Sequence, residues 1–130
     1  MPVKVDWYKD TKHISFIFNG KWSWEELFEA IDEVVRRLDT VGEPVFLVID
    51  VNNTGFVPTY SYHNLKRVAT APTMSHPNTQ KLLMIGANRY VELMVNVFKK
   101  AFPDAGGRYL LFKTFEEMDS YLKEVQQESS

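Results

Sequence analysis

Two hydrophobic periods alternate along this chain. Val3, Val5 and Trp7 are interleaved with Lys4, Asp6 and Tyr8, a period of two that predicts a half-buried strand over residues 3–8. Lys9-Asp10-Thr11-Lys12 is a polar turn. Ile14, Phe16 and Phe18 then alternate with His13 and Ser15 and predict a second strand. So short a connection makes the pair an antiparallel hairpin, closed by Asn19-Gly20. The period then changes. Trp24, Leu27, Ile31, Val34, Val35 and Leu38 draw one stripe at helical spacing. Ser23-Trp24-Glu25-Glu26 has the spacing of a capping box at its start, and the helix is expected to end near Val41-Gly42.

Val45-Phe46-Leu47-Val48-Ile49-Asp50-Val51 is apolar at both alternating sets of positions up to Asp50. That pattern marks an interior strand covered on both faces. Asn52-Asn53-Thr54-Gly55 is a turn cluster. A second helix is expected from near Thr59 to about Ala71, with Pro72 as its stop, and Ser75-His76-Pro77-Asn78 as loop. Leu82 to Ile85 predicts another buried strand. Asn88 is a plausible N-cap for a third helix through Ala101, with Val91, Met94, Phe98 and Ala101 inward. Pro103 and Gly106-Gly107 break it, and Tyr109 to Phe112 is the last strand. Thr114-Phe115-Glu116-Glu117 repeats the capping-box spacing before a helix with Phe115, Met118, Leu122 and Val125 inward.

The expected order is therefore β-β-α-β-α-β-α-β-α. This is a single α/β domain over residues 1–125 with a polar flexible tail at 126–130. Right-handed crossovers imply a mostly parallel five-stranded mixed sheet with an antiparallel edge hairpin. The doubly apolar strands need cover on both faces, from helices or from a partner copy, and this motivates a possible homodimer.

Composition narrows the function classes. The chain of 130 residues has 45% hydrophobic and 14% aromatic residues, which suits one ordered domain with a true core. The net charge of −2 is interspersed. Arg36-Arg37 and Lys99-Lys100 are the compact basic pairs, and both fall late in predicted helices, where positive charge suits the helix dipole. No basic face points to nucleic acid. The absence of cysteine removes disulfides, a thiol nucleophile and thiolate metal ligands, and fits a cytoplasmic protein. Met-Pro-Val-Lys-Val-Asp holds no apolar core of a secretory leader, and no apolar run is long enough for a membrane span.

Candidate chemistry is sparse. Ligands of open α/β sheets gather beyond the carboxyl ends of the parallel strands. Here that region holds Asp50 to Pro58, Gly86 to Arg89, and Lys113-Thr114. Asp50 is placed as a base or metal ligand would be, or it shapes its turn through loop N–H groups. His13, His63 and His76 have no metal-ligand spacing, so no metal or other cofactor is expected. His63 lies nearest the strand ends. Gly86-Ala87-Asn88-Arg89 leads into a helix N-terminus that can hold an anion or simply be capped. Phe56, Tyr60 and Tyr62 flank a helix start and can anchor a partner or pack on the sheet. Asn53 shares that loop region. No nucleophile, base and orienting group come together, so no catalytic residue is assigned and no enzymatic activity is expected.

A hairpin followed by alternating helices and strands in a chain of this length resembles the STAS domain, the fold of the bacterial anti-sigma-factor antagonists. The resemblance implies a non-enzymatic regulatory module that binds a protein partner, a kinase-like anti-sigma factor, and is switched by phosphorylation at the start of the second helix. The strand ending at Asp50 corresponds to the family's strand and aspartate, and Thr59 or Ser61 then takes the switch position. The family's Asp-Ser-Ser-Gly stretch is absent, so the switch is degenerate or lost. The alternative reading is a binder of a small apolar ligand, between the second and third helices and the sheet, lined by Phe56, Tyr60, Met94 and Phe98.

Overall fold

The computed structural model describes residues 2–128. Its elements are β1 (Val3–Trp7), β2 (Ile14–Asn19), α1 (Trp24–Leu38), β3 (Val45–Asn53), α2 (Tyr62–Ala69), α3 (Pro72–Ser75), β4 (Thr79–Ile85), α4 (Arg89–Ala101), α5 (Pro103–Gly106), β5 (Tyr109–Phe112) and α6 (Phe115–Glu128). The five strands form one sheet in the order β1-β2-β3-β4-β5. β1 is antiparallel to β2, and every other neighbouring pair is parallel. This is the α/β order and mixed sheet that the hydrophobic pattern predicts. The two short helices α3 and α5 are additions to it.

The two sheet faces are covered unequally. On one face, Phe16, Leu47, Ile49, Leu82 and Met84 pack with the inward residues of three helices. These are Ile31 and Val34 of α1, Leu65 of α2, and Val91, Val95 and Phe98 of α4. On the other face, Phe46, Val48, Leu83 and Ile85 pack with Met118 of α6, flanked by Leu122 and Val125. The double cover that β3 and β4 require is thus supplied by the chain's own helices. Sequential parallel strands account for the imbalance. Right-handed crossovers that step in one direction all place their helices on the same side, and only α6, which crosses to no further strand, is free to take the other.

The helix starts follow their caps. Ser23 accepts from the Glu26 N–H at 3.2 Å, and Glu26 accepts from the Ser23 N–H at 3.1 Å, the reciprocal box expected there. At α6 the box is offset: Thr114 accepts from the Glu117 N–H, but the Glu117 carboxylate turns to the N–H of Lys113. Several expected boundaries move. α1 stops at Leu38, with Asp39 as C-cap, rather than near Val41-Gly42. Asn52 and Asn53 extend β3 rather than turning, and β4 begins at Thr79, before Leu82. Pro72 does not merely stop a helix. It opens α3, because proline's missing N–H and fixed φ suit a first helical position. α6 continues through Gln126 to Glu128, residues the sequence reading gave to the tail, since no breaker follows Val125. Ser129 and Ser130 lie outside the described residues.

Three side chains depart from their expected environment. Ala101 is exposed, and Val95 takes the inward place on α4. Phe115 is exposed and stacks on Tyr8 at 6.5 Å. Trp7 projects from the edge strand, where the Arg37 guanidinium lies 5.1 Å from its ring. Tyr8, just beyond β1, is the buried one, and its hydroxyl donates to Asp119 at 2.6 Å. Lys9 donates to the same carboxylate at 2.8 Å, so the hairpin turn is tied to α6. Burial and the aspartate together push the Tyr8 phenol up to about 12. Burial alone would raise Asp119, but the bonds from Lys9 and Tyr8 outweigh it and hold the carboxyl below its ordinary value.

Candidate functional site

The carboxyl ends of β3 and β4 are built from Asx side chains and one glycine. Asp50 accepts from the backbone N–H of Asn52 at 3.0 Å and from its side-chain amide at 2.9 Å. The amide so held lies against Gly86, where a Cβ would come within 2.1 Å of the Asn52 Oδ1. Gly86 also has φ +85°, the left-handed region that disfavours any side chain. Asn53 accepts from the Gly20 N–H at 3.0 Å through its carbonyl. Asn88 caps α4, accepting from Val91 N–H at 2.9 Å. Arg89 is exposed at the first position of that helix. Asp50 therefore spends its carboxylate on shaping the strand end. No group of three or more His, Asp or Glu side chains among the described residues is placed to hold a metal ion.

From Thr54 to Ser61 the chain runs without regular structure across the end of the sheet. Three hydrogen bonds fasten it to the segment between β2 and α1. Thr54 donates its hydroxyl to the Gly20 carbonyl at 2.6 Å, the Trp22 indole donates to the Phe56 carbonyl at 2.9 Å, and the Trp24 indole donates to the Thr59 carbonyl at 2.9 Å. The expected start of α2 at Thr59 is corrected by this anchorage. With its carbonyl turned to Trp24, Thr59 stays outside the helix, and Ser61 is the N-cap. The Ser61 hydroxyl accepts from the Asn64 N–H at 3.3 Å. Thr59, Tyr60, Ser61, Tyr62 and His63 are all exposed. Tyr62, 65% exposed, lays one ring face on Phe102 with centroids 5.4 Å apart.

Beneath this strap, between the sheet and α1, α2 and α4, lies an apolar cavity of about 100 Å³. Phe56, Met94 and Phe98 line it, as the sequence reading expected. Tyr60 does not, because it sits on the outer side of the strap. Trp22, Leu65, Val68, Val91 and Val95 complete much of the wall. Among the described residues no Asp, Glu, Lys, Arg or His contributes to it. Protein interiors rarely leave voids larger than a water molecule. An apolar cavity of roughly 150 Å³ stays dry and takes benzene, so this one suits a small organic molecule better than water.

Two wall residues escaped the sequence reading. The sequence pattern marks Thr73 only as following the stop at Pro72, and Tyr109 only as the first residue of a strand. They are 4% and 9% exposed. Among the described residues neither side-chain hydroxyl has a hydrogen-bond partner, though neither is fully sealed in the core, and both residues line the cavity. A hydroxyl left without a partner at a cavity wall has no signature in the pattern of polar and apolar positions, since it depends on what long-range folding leaves nearby.

No protein-family model matches this sequence, and no curated protein matches it. The backbone does find a match among solved structures. It superposes on the crystal structure of a DUF3478-family protein from Shewanella loihica PV-4 with a SpoIIAA-like fold, at a TM-score of 0.58 and 16% identity, over 92% of this chain and 91% of that one. The fold is SpoIIAA-like. That is the fold of the anti-sigma-factor antagonists and STAS domains, as the element order implied. At this identity the SpoIIAA-like likeness speaks to the fold alone. No helix among the described residues is long and apolar enough to cross a membrane.

Proposed function

We propose that this SpoIIAA-like domain is a non-enzymatic binding module whose cavity takes a small, largely apolar molecule. The observation that carries the reading is the void of about 100 Å³ between the sheet and α1, α2 and α4, walled by side chains with no charge among them. Such sites are usually concave and apolar, with a few polar groups that set orientation. The strap fastened by Trp22 and Trp24 closes one side and gives a ligand its route, since that segment has no regular backbone pairing to break. NMR titration of isotope-labelled protein with methylcyclopentane tests this. Saturable shifts confined to methyl groups of Leu65, Val68, Val91 and Val95 are expected. Absence of saturable shifts up to the solubility limit of the probe refutes it.

A second reading keeps the regulatory role that the STAS resemblance implies, with a kinase-like anti-sigma factor as the class of partner. One observation favours it. Ser61, an exposed residue, stands at the N-cap of α2 between Tyr60 and Tyr62. A phosphate there meets helix N–H groups and the positive end of the dipole. Intact-mass analysis of protein from its native cell is expected to show a phosphoform that Ser61→Ala removes. The switch falls if no phosphoform forms under any condition and the Thr59→Ala/Ser61→Ala variant still captures the partner.

A further inference from the structure

The cavity is not uniformly apolar, and its polar part is specific. Thr73 reaches it from α3 and Tyr109 from the start of β5. The two elements are joined just outside it by Arg108, whose guanidinium donates to the carbonyls of Met74, Thr79 and Gln80. The same three bonds occupy the cation nearest to Tyr109 and keep it for the backbone. Tyr109 packs edge-on against Phe98 at 5.6 Å, which fixes its ring, and burial holds its phenol well above the ordinary value. At neutral pH the phenol is therefore a protonated donor. Among the described residues neither hydroxyl has a partner, and each sits on a residue more than nine-tenths buried while keeping some accessible surface of its own. A ligand in the cavity can supply each of them with a complementary group.

Resting on the ligand-cavity reading above, we propose that the bound molecule carries one neutral hydrogen-bonding head, a hydroxyl or a carbonyl, read by the hydroxyls of Tyr109 and Thr73, with an apolar remainder against α2 and α4. A carboxylate is excluded by the same wall. Among the described residues no cation lines it, and an ion buried without a counter-charge loses far more hydration than two hydroxyls return. A pure hydrocarbon fits the shape but leaves both hydroxyls unsatisfied.

The test compares cyclopentanol with methylcyclopentane, two probes of nearly the same shape, by NMR titration of the wild-type chain and of Thr73→Val/Tyr109→Phe. Those changes delete one oxygen each, or exchange it for a methyl, without altering the packing volume. The expected result is that the double variant binds cyclopentanol at least tenfold more weakly and methylcyclopentane as tightly as before or more so. Each single variant is expected to show several-fold weakening toward cyclopentanol, which keeps the test intact if the double variant folds poorly. Cyclopentanecarboxylate at pH 7 is expected to cause no saturable shifts in the wild type. Equal loss of both neutral probes, unchanged cyclopentanol binding, or carboxylate binding as tight as the alcohol's overturns the head-group assignment while leaving the cavity reading standing. Failure of the wild type to bind either neutral probe overturns both.

Discussion

Filling the cavity separates an open site from a core that merely looks loose, because the two give opposite signs. Val91 and Val95 stand one turn apart on α4, both are buried, and both line the void. In Val91→Ile/Val95→Ile each position gains one methylene without changing the β-branched rotamer preference. A methylene moved from water into apolar surroundings contributes about 0.8 kcal/mol, so two contribute roughly 1.6 kcal/mol before the added side-chain entropy is subtracted. A net gain of about 1–1.5 kcal/mol is expected, or roughly 3–6 °C in Tm for a domain of this size. In a filled core the same change costs about 1–3 kcal/mol through strain. Urea unfolding followed by circular dichroism is the assay. The midpoint should rise with the slope unchanged, which marks a change in stability rather than in compactness. The two positions are neighbours, so each single variant is measured as well. A fall in midpoint for both singles and the double would refute the reasoning, since no free volume would then exist for a ligand. The filled double variant is also expected to lose methylcyclopentane binding, a trade of function for stability.

Three further outcomes follow from local geometry. Ser61→Ala removes the hydroxyl that caps α2 and should cost about 1 kcal/mol in urea unfolding, whereas Ser61→Asp should restore most of it; equal stability of all three would refute the cap. Gly86→Ala must place a methyl at φ +85° and within 2.1 Å of Asn52 Oδ1. A loss of at least ~1 kcal/mol is expected, with amide shifts at Asp50 and Asn52, and a neutral result would show that the strand end is not built as described. His13 accepts the Phe46 N–H on Nδ1 at 3.1 Å, and burial holds its pKa below 6.5 in spite of Glu43 nearby. The unfolded chain then binds the proton more readily. Stability is complete above pH 6.5 and falls as pH drops from there through the folded value. Unfolding midpoints between pH 7.5 and 5 should show that slope in the wild type and not in His13→Asn.

The sheet, the four long helices and their order were legible because each element has a strong local cause. The stripe from Leu27 to Leu38, the doubly apolar run from Val45 and the box at Ser23 each point to one structure. What stayed hidden was decided at a distance. Nothing near Thr59 in sequence says that an indole 35 residues earlier takes its carbonyl and moves the N-cap to Ser61. Pro72 is a stop in one context and a first helical residue in another. At the site, Phe56, Met94 and Phe98 were found by their apolar character near the strand ends. Thr73 and Tyr109 were not, because the absence of a hydrogen-bond partner is a property of the assembled core. Asp50 carried the expected position, but its carboxylate is used by the amide two residues on.

The single-helix cover of the second sheet face also bears on how the chain is made. Phe46, Val48, Leu83 and Ile85 are complete as a surface once β4 has formed, yet α6 follows every strand in order of synthesis. Until it emerges, the nascent sheet shows bare side chains of the kind that associate between chains. A molecule arrested before α6, or one whose hairpin loses the Tyr8 and Lys9 bonds to Asp119, is therefore the form for which chaperone binding and aggregation compete with folding.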